Sequence, residues 1–179
     1  NGAEVYVSEK RERKEISGSE FEVLKQRGVH FEFGGHSKGF LSKCDMAFLS
    51  PGIPQLPLFE ELSHSGVKMV GELALMADYL SLPVIAVTGT NGKTTVTSLV
   101  STILDCSGKK VFTGGNIGTP VFELRKKHIN AEVAVLEVSS FQLDNAGAFS
   151  PDIAVLLNIS PDHLDRHGDM KSYMESKCR

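Results

Sequence analysis

Short apolar runs separated by turn residues recur along this chain, and their periodicity predicts its elements. Residues 84–87, 110–113, 133–137 and 153–157 are runs of strand length with little polar alternation. That is the pattern of parallel strands buried on both faces. After the first run, Val96, Leu99, Val100, Ile103 and Leu104 recur at helical spacing, and Gly108 stands where such a helix would be capped. The amino-terminal half alternates in the same way. Strands are predicted over 5–7, 30–33, 45–49 and 67–70, and helices over 19–26, 57–65 and 72–80. Pro57 falls in a first helical turn, where a missing N–H is harmless. Ser81-Leu82-Pro83 reads as a linker. The alternation predicts an α/β fold with parallel sheets, divided into domains over 1–82 and 83–179.

Composition narrows the classes. The chain has 179 residues, 41% of them hydrophobic, enough for a real core, and no run is long enough to span a membrane. A net charge of −3 argues against a broad nucleic-acid surface. The basic cluster Lys10, Arg11, Arg13 and Lys14 is broken by Glu12 and followed by Glu15, as on a solvated turn. Cys44, Cys106 and Cys178 form no C-x-x-C pair, which suggests reduced intracellular thiols and neither a disulfide framework nor a zinc site. No signal-peptide pattern is present. The chain opens in an apparent strand and stops in an apparent helix, so it is expected to be a piece cut at both ends.

The strongest chemical signal is Gly89-Thr90-Asn91-Gly92-Lys93-Thr94-Thr95, between a predicted strand and helix. The glycines let backbone N–H groups approach an anion, Lys93 offers a charge to terminal phosphates, and Thr94 offers a hydroxyl to Mg²⁺. The commoner, longer phosphate-loop pattern would want glycine at Val87. An ordinary glycine turn is the alternative, and the strand–loop–helix order argues against it.

Other polar clusters also follow predicted strands, where ligands of parallel sheets gather. Glu137 is a candidate Mg²⁺ ligand of the hard-oxygen kind; its alternative is a cap or surface carboxylate. Ser139 and Gln142 offer neutral hydrogen bonds suited to a polar substrate. Gly114–118 is a second glycine-rich loop, with a plain turn as its alternative. His163, flanked by Asp162 and Asp165, is a candidate for metal or phosphate, and its spacing is not that of a zinc motif. In Ser50-Pro51-Gly52-Ile53-Pro54, a turn first of all, Gly52 permits close approach of a ligand. His30, His36, His64 and His128 receive no role.

Together these segments resemble the Mur ligases, ATP-dependent enzymes that build the peptidoglycan stem peptide. Gly89–Thr95 marks the family. Ser50–Pro54, Gly115-Asn116-Ile117-Gly118 and Ser139-Ser140-Phe141-Gln142-Leu143 resemble the branch that adds D-glutamate; the branch adding a diamino acid usually has His after Ser-Ser. The resemblance covers nearly the whole chain. It implies a partial Rossmann-like UDP-binding domain over 1–82 and a partial, P-loop ATPase-type central domain over 83–179. The carboxy-terminal amino-acid-binding domain would be absent and the piece alone inactive. It implies ATP and two Mg²⁺ ions as cofactors, and UDP-N-acetylmuramoyl-L-alanine and D-glutamate as substrates. A cytoplasmic monomer without nucleic-acid partner or membrane insertion follows.

Carried over by position, Lys93 would contact the ATP phosphates, and Thr94 and Glu137 would hold one Mg²⁺. His163 would help hold a second. Gly52, Asn116, Ser139 and Gln142 would meet the nucleotide substrate. Lys177, in Tyr173-Met174-Glu175-Ser176-Lys177, matches a lysine that the family carbamylates with CO₂ to make an anionic metal ligand. From the residues alone Lys177 is an ordinary surface helix lysine. Two alternatives remain: a folylpolyglutamate-type or other Mur ligase, against which Ser50–Pro54 and Phe141-Gln142 speak, and a non-catalytic nucleotide-binding module.

Overall fold

The computed structural model describes residues 2–16, 18–50, 53, 56–126 and 129–179. The chain divides into two compact units, Asn1–Ala47 with Leu56–Met69, and Phe48–Gln55 with Val70–Arg179.

The first unit begins with β1 (Tyr6–Glu9), α1 (Ser19–Gln26) and β2 (His30–Phe33). The two strands pair in parallel with Tyr6 opposite His30 and Glu9 opposite Phe33. Phe31 and Phe33, two residues apart, share one face of the pleat. Phe21 of α1 packs on both, with centroids 4.7 and 5.8 Å away. Short α2 (Lys38–Leu41) is capped by Ser37, whose hydroxyl accepts from the Phe40 N–H. β3 (Met46–Phe48), α3 (Pro57–His64) and β4 (Lys68–Val70) follow, and β3 pairs with β4. α3 starts at Pro57 and buries Phe59 and Leu62, one helical turn apart.

The second unit is a four-stranded sheet with helices. Its elements are α4 (Glu72–Met76), β5 (Val84–Thr88), α5 (Lys93–Cys106), β6 (Val111–Gly115), β7 (Val133–Glu137), α6 (Ser140–Asp144), β8 (Ile153–Leu156), α7 (Leu164–His167) and α8 (Met170–Lys177). The predicted helix over 72–80 divides into α4 and a 3₁₀ turn at Ala77–Tyr79. The chain then turns extended at Leu80 on its way to Pro83. Leu80 and Leu82 pack against the core that Leu73, Met76, Val84, Phe112, Val121 and Leu136 form.

Strand order is β6-β7-β5-β8, and the three neighbouring pairs are parallel. All carboxyl ends therefore lie on one edge, and the loops that follow them converge there. One expectation is corrected. β7 is buried throughout, but β8 is not: Ile153 is 54% and Leu156 45% exposed. β8 has β5 on one side and no strand on the other among the described residues, so its apolar run reports an uncovered edge. Among the described residues no helix is long and apolar enough to cross a membrane.

Candidate active site

The phosphate loop owes its shape to two glycines and to the segment after β8. Gly92 takes a left-handed φ of 84° at the cap of α5. Gly89 has φ 151°, and a Cβ there would stand 3.1 Å from the Leu157 Cβ and 3.3 Å from the Asn158 backbone. A side chain there would be strained by the backbone conformation and crowded against the segment after β8. The loop is also bonded to its neighbour. Thr90 N–H donates to the Asn158 carbonyl at 3.0 Å. Asn91 N–H donates to Asn158 Oδ1, and Asn158 Nδ2 to the Asn91 carbonyl, both at 2.9 Å. Ser160 N–H donates to Thr90 Oγ1, which lies 3.0 Å from the Tyr173 hydroxyl. The first backbone N–H groups of fourteen-residue α5 stand ready for an anion. Lys93 arches back over the loop, Nζ donating to the carbonyls of Gly89 (2.9 Å) and Thr90 (2.8 Å). Thr95 is exposed on the first turn.

Glu137 ends β7 beside this loop and is 2% exposed. Its Oε2 accepts from Thr94 Oγ1 at 2.7 Å and its Oε1 from Asn116 Nδ2 at 2.7 Å. The Asn116 N–H also donates to the Glu137 carbonyl at 2.8 Å. The second glycine loop is thereby pinned to β7. Gly115, at φ 99°, is needed for the approach, because a Cβ would sit 2.3 Å from the Glu137 carbonyl oxygen. Both donors to Glu137 are neutral, and a hydroxyl beside a buried carboxylate is an oxygen pair that fits a hard divalent cation.

A cleft of about 110 Å³ lies alongside, lined by Lys93, Asn116, Ser139, Ser140, Phe141, His163, Tyr173 and Lys177. The folding thus brings the sequence candidates Lys93, Asn116, Ser139, His163 and Lys177 to one cleft, with Thr94 of the phosphate loop and Glu137 at the end of β7 beside it. Gln142 is different. It is buried and closes a reciprocal cap with Ser139 at the start of α6, its Oε1 accepting from the Ser139 N–H at 3.1 Å. Gly52 lies outside the described residues. Its neighbour Ile53 offers a carbonyl to Arg166 at 2.7 Å, and the Arg166 guanidinium lies 4.0 Å over the Phe141 ring.

His163 has φ 53°, a left-handed backbone that non-glycine residues seldom adopt. Its half-exposed ring lies 4.9 Å from Phe141, and Nε2 lies 3.6 Å from Asp162. Among the described residues no three His, Cys, Asp or Glu side chains converge as a ready-made metal cage.

Lys177 departs from its reading as a surface lysine. It is 6% exposed, with Nζ 3.4 Å from Thr88 Oγ1 and 4.9 Å from the Tyr173 ring. Burial, reinforced by Lys93 and opposed by Asp162, pushes its ammonium down to about 8. Four residues of this site carry roles that the sequence did not assign: Asn158, Ser160 and Tyr173, which brace the loop, and Phe141 as a ring platform. Asn158 and Ser160 sit directly after a strand, which was their available signal.

Residues 87–179 match the Mur ligase middle domain and residues 1–57 the MurD N-terminal domain. The UDP-N-acetylmuramoylalanine–D-glutamate ligase of Desulfotalea psychrophila is 51% identical over 176 residues, 98% of this chain and 39% of that protein. The enzyme of the same name from Desulfatibacillum aliphaticivorans is 40% identical over 179 residues, 99% of this chain and 40% of that protein. The chain therefore spans about two fifths of these relatives. Among solved structures, the UDP-N-acetylmuramate:L-alanyl-γ-D-glutamyl-meso-diaminopimelate ligase from Neisseria meningitides shares the fold. Its TM-score is 0.55 at 18% identity, covering 98% of this chain and 59% of that one. The MurF ligase from Thermotoga maritima, solved with ADP, has a TM-score of 0.50 at 21% identity, covering 98% and 40%.

Proposed function

The chain belongs to the Mur ligase family, and we propose that it is part of an ATP-dependent ligase joining D-glutamate to UDP-N-acetylmuramoyl-L-alanine in peptidoglycan synthesis. The observation that carries the proposal is the phosphate loop with Thr94 bonded to buried Glu137 on the neighbouring strand, at 2.7 Å. The close relatives named for this reaction supply the substrate. The γ-phosphoryl group of ATP passes to the alanine carboxylate, giving an acyl phosphate and ADP. The D-glutamate amine attacks that carbonyl, a C–N bond forms, phosphate leaves and the amine proton goes to solvent. No protein nucleophile is required; the chain positions reactants and offsets charge.

In this reading Gly89–Thr95 hold the ATP phosphates, with Lys93 swinging from its carbonyl partners to the γ-phosphate. Thr94 and Glu137 would hold one Mg²⁺, and His163 and a carbamylated Lys177 would hold a second. Bound Mg²⁺ would draw charge from the transferring oxygens. Lys177 suits the modification, because burial favours the neutral amine that adds to CO₂. Its nitrogen forms the N–C bond, a C=O pair moves onto oxygen, and a proton leaves to solvent. Gly52, Asn116, Ser139 and Gln142 would serve the nucleotide substrate, Gln142 through the cap that fixes Ser139. The functional domains divide at 82/83, and the enzyme works as a cytoplasmic monomer.

The test is the native protein that carries this chain, given UDP-N-acetylmuramoyl-L-alanine, Mg·ATP and D-glutamate. One D-glutamate should be added per ATP cleaved to ADP and phosphate. Turnover only with a different amino acid or a different uridine nucleotide would overturn the substrate assignment.

A further inference from the structure

We propose that His167 is a positioning residue for Lys177, tying α6 to α8 through Ser140, Asp144 and Ser176. The proposal rests on the reading of Lys177 as a metal-binding carbamate. His167 ends α7, yet its side chain is 4% exposed. Nε2 lies 2.9 Å from the Ser140 hydroxyl, at the start of α6. Nδ1 lies 3.4 Å from the Ser176 hydroxyl on α8 and 3.8 Å from Asp144 Oδ2 at the end of α6. The Ser176 hydroxyl donates to Asp144 Oδ1 at 2.5 Å and also lies 3.0 Å from the Ser172 carbonyl. The imidazole stacks on Phe141 at 5.3 Å and 10° and tilts against Tyr173 at 5.2 Å.

Burial pushes His167 below the ordinary imidazole range; Asp144 opposes this, while Arg166, His163 and Lys177 add to it. A neutral ring has one N–H. The hydrogen-bond network then assigns one direction: Ser140 O–H to Nε2, Nδ1–H to Ser176 Oγ, Ser176 O–H to Asp144. Every member of that chain has a partner.

The consequence for Lys177 follows from geometry. Its long stem leaves the last residue of an eight-residue helix, so the roll of α8 sets where Nζ points. Besides Lys177 itself, two polar side chains of α8, among the described residues, tie it to other elements. Tyr173, one turn before Lys177 on the same face, reaches Thr90 of the phosphate loop. Ser176, adjacent to Lys177, reaches Asp144 and His167. The first anchor alone lets the helix roll about Tyr173. The second stops that roll, and His167 holds the second in place against α6.

The experiment uses the native protein and two variants. His167→Phe keeps a ring on Phe141 but removes both nitrogens; Ser176→Ala is the milder change. Each should lower kcat by about 10- to 100-fold, as loss of an outer partner of a metal ligand does. KM for ATP and for the uridine nucleotide should stay within about threefold. The ¹³C carbamate signal seen after equilibration with ¹³CO₂ should weaken, excess bicarbonate should restore part of the activity, and amide exchange should quicken in α8. Wild-type kcat and carbamate signal in both variants would overturn the proposal, as would lost stability with kcat unchanged. If the unsubstituted protein carries no carbamate, that modification is wrong. His167 is then judged on kcat and α8 exchange: both must change for the positioning role to stand.

Discussion

Lys93 and Lys177 are both lysines beside one cleft, and their surroundings give them different work. Lys93 rests on two carbonyls and stays reachable. Lys93→Ala should lower kcat by about 100- to 1,000-fold, since it removes a donor aimed at charge that develops during transfer. Steady-state kinetics with Mg·ATP checks this. Glu137→Ala should keep the fold, judged by circular dichroism, but raise the Mg²⁺ concentration needed for half-maximal rate at least about tenfold. An unchanged Mg²⁺ profile would make Glu137 a purely structural hub for Thr94 and Asn116. Lys177 is shifted from the ordinary 10.5 to about 8. Below pH 8 both folded and unfolded chains hold the proton, and the folded one bears the burial penalty. Between 8 and 10.5 the unfolded chain binds more protons, so stability rises with pH. In CO₂-free buffer Lys177→Met should therefore raise stability at pH 7 by about 1–3 kcal/mol, with the gain shrinking toward pH 10. Thermal melts at the two pH values measure it, and activity should be lost in the same variant.

At the level of elements, the site is a set of strand ends held together by glycine contacts. Gly115 lets the loop after β6 lie on the last residue of β7. Gly115→Ala should destabilise the fold by about 2 kcal/mol or more, because a left-handed φ and a backbone clash act together. It should also loosen Asn116 and with it Glu137, so Mg²⁺ dependence should shift even in the folded fraction. Urea titration paired with Mg²⁺ titration separates the two effects. α5 illustrates how far local pattern reaches. Its start at Lys93 and the Gly108 turn that ends it are local features, and both stand where the periodicity placed them. The face it buries is less simple: Thr97 and Ser101 turn inward while Leu99 and Ile103 are more than half exposed. Helical spacing identifies an apolar stripe and does not say which neighbour will cover it.

Across the whole molecule, the parallel sheet of the second unit carries its chemistry on one edge and an uncovered strand at its side. Among the described residues no strand pairs with the outer side of β8, which presents Ile153 and Leu156, the kind of edge that recruits another chain. The 179-residue polypeptide should therefore self-associate as concentration rises. Ile153→Lys with Leu156→Lys should reduce light scattering without changing the phosphate loop; equal scattering in both would place the association elsewhere.

What the sequence by itself determined is whatever neighbours along the chain can decide. The phosphate loop, its glycines, Lys93 and Thr94 are consecutive residues, and strand 133–137 and helix α1 follow from unbroken periodicity. Resemblance added roles to Asn116 and Lys177 that spacing alone would not have suggested. Tertiary structure decided the rest, because it depends on partners far apart in sequence. Thr94 meets Glu137 across a separation of 43 residues, and Thr90 meets Tyr173 across 83. Whether an apolar run such as 153–156 is central or at an edge depends on strand order, which no local pattern encodes. Whether Lys177 is a solvated amine or a buried one depends on β5 and Tyr173 packing around it, and burial is what shifts its protonation.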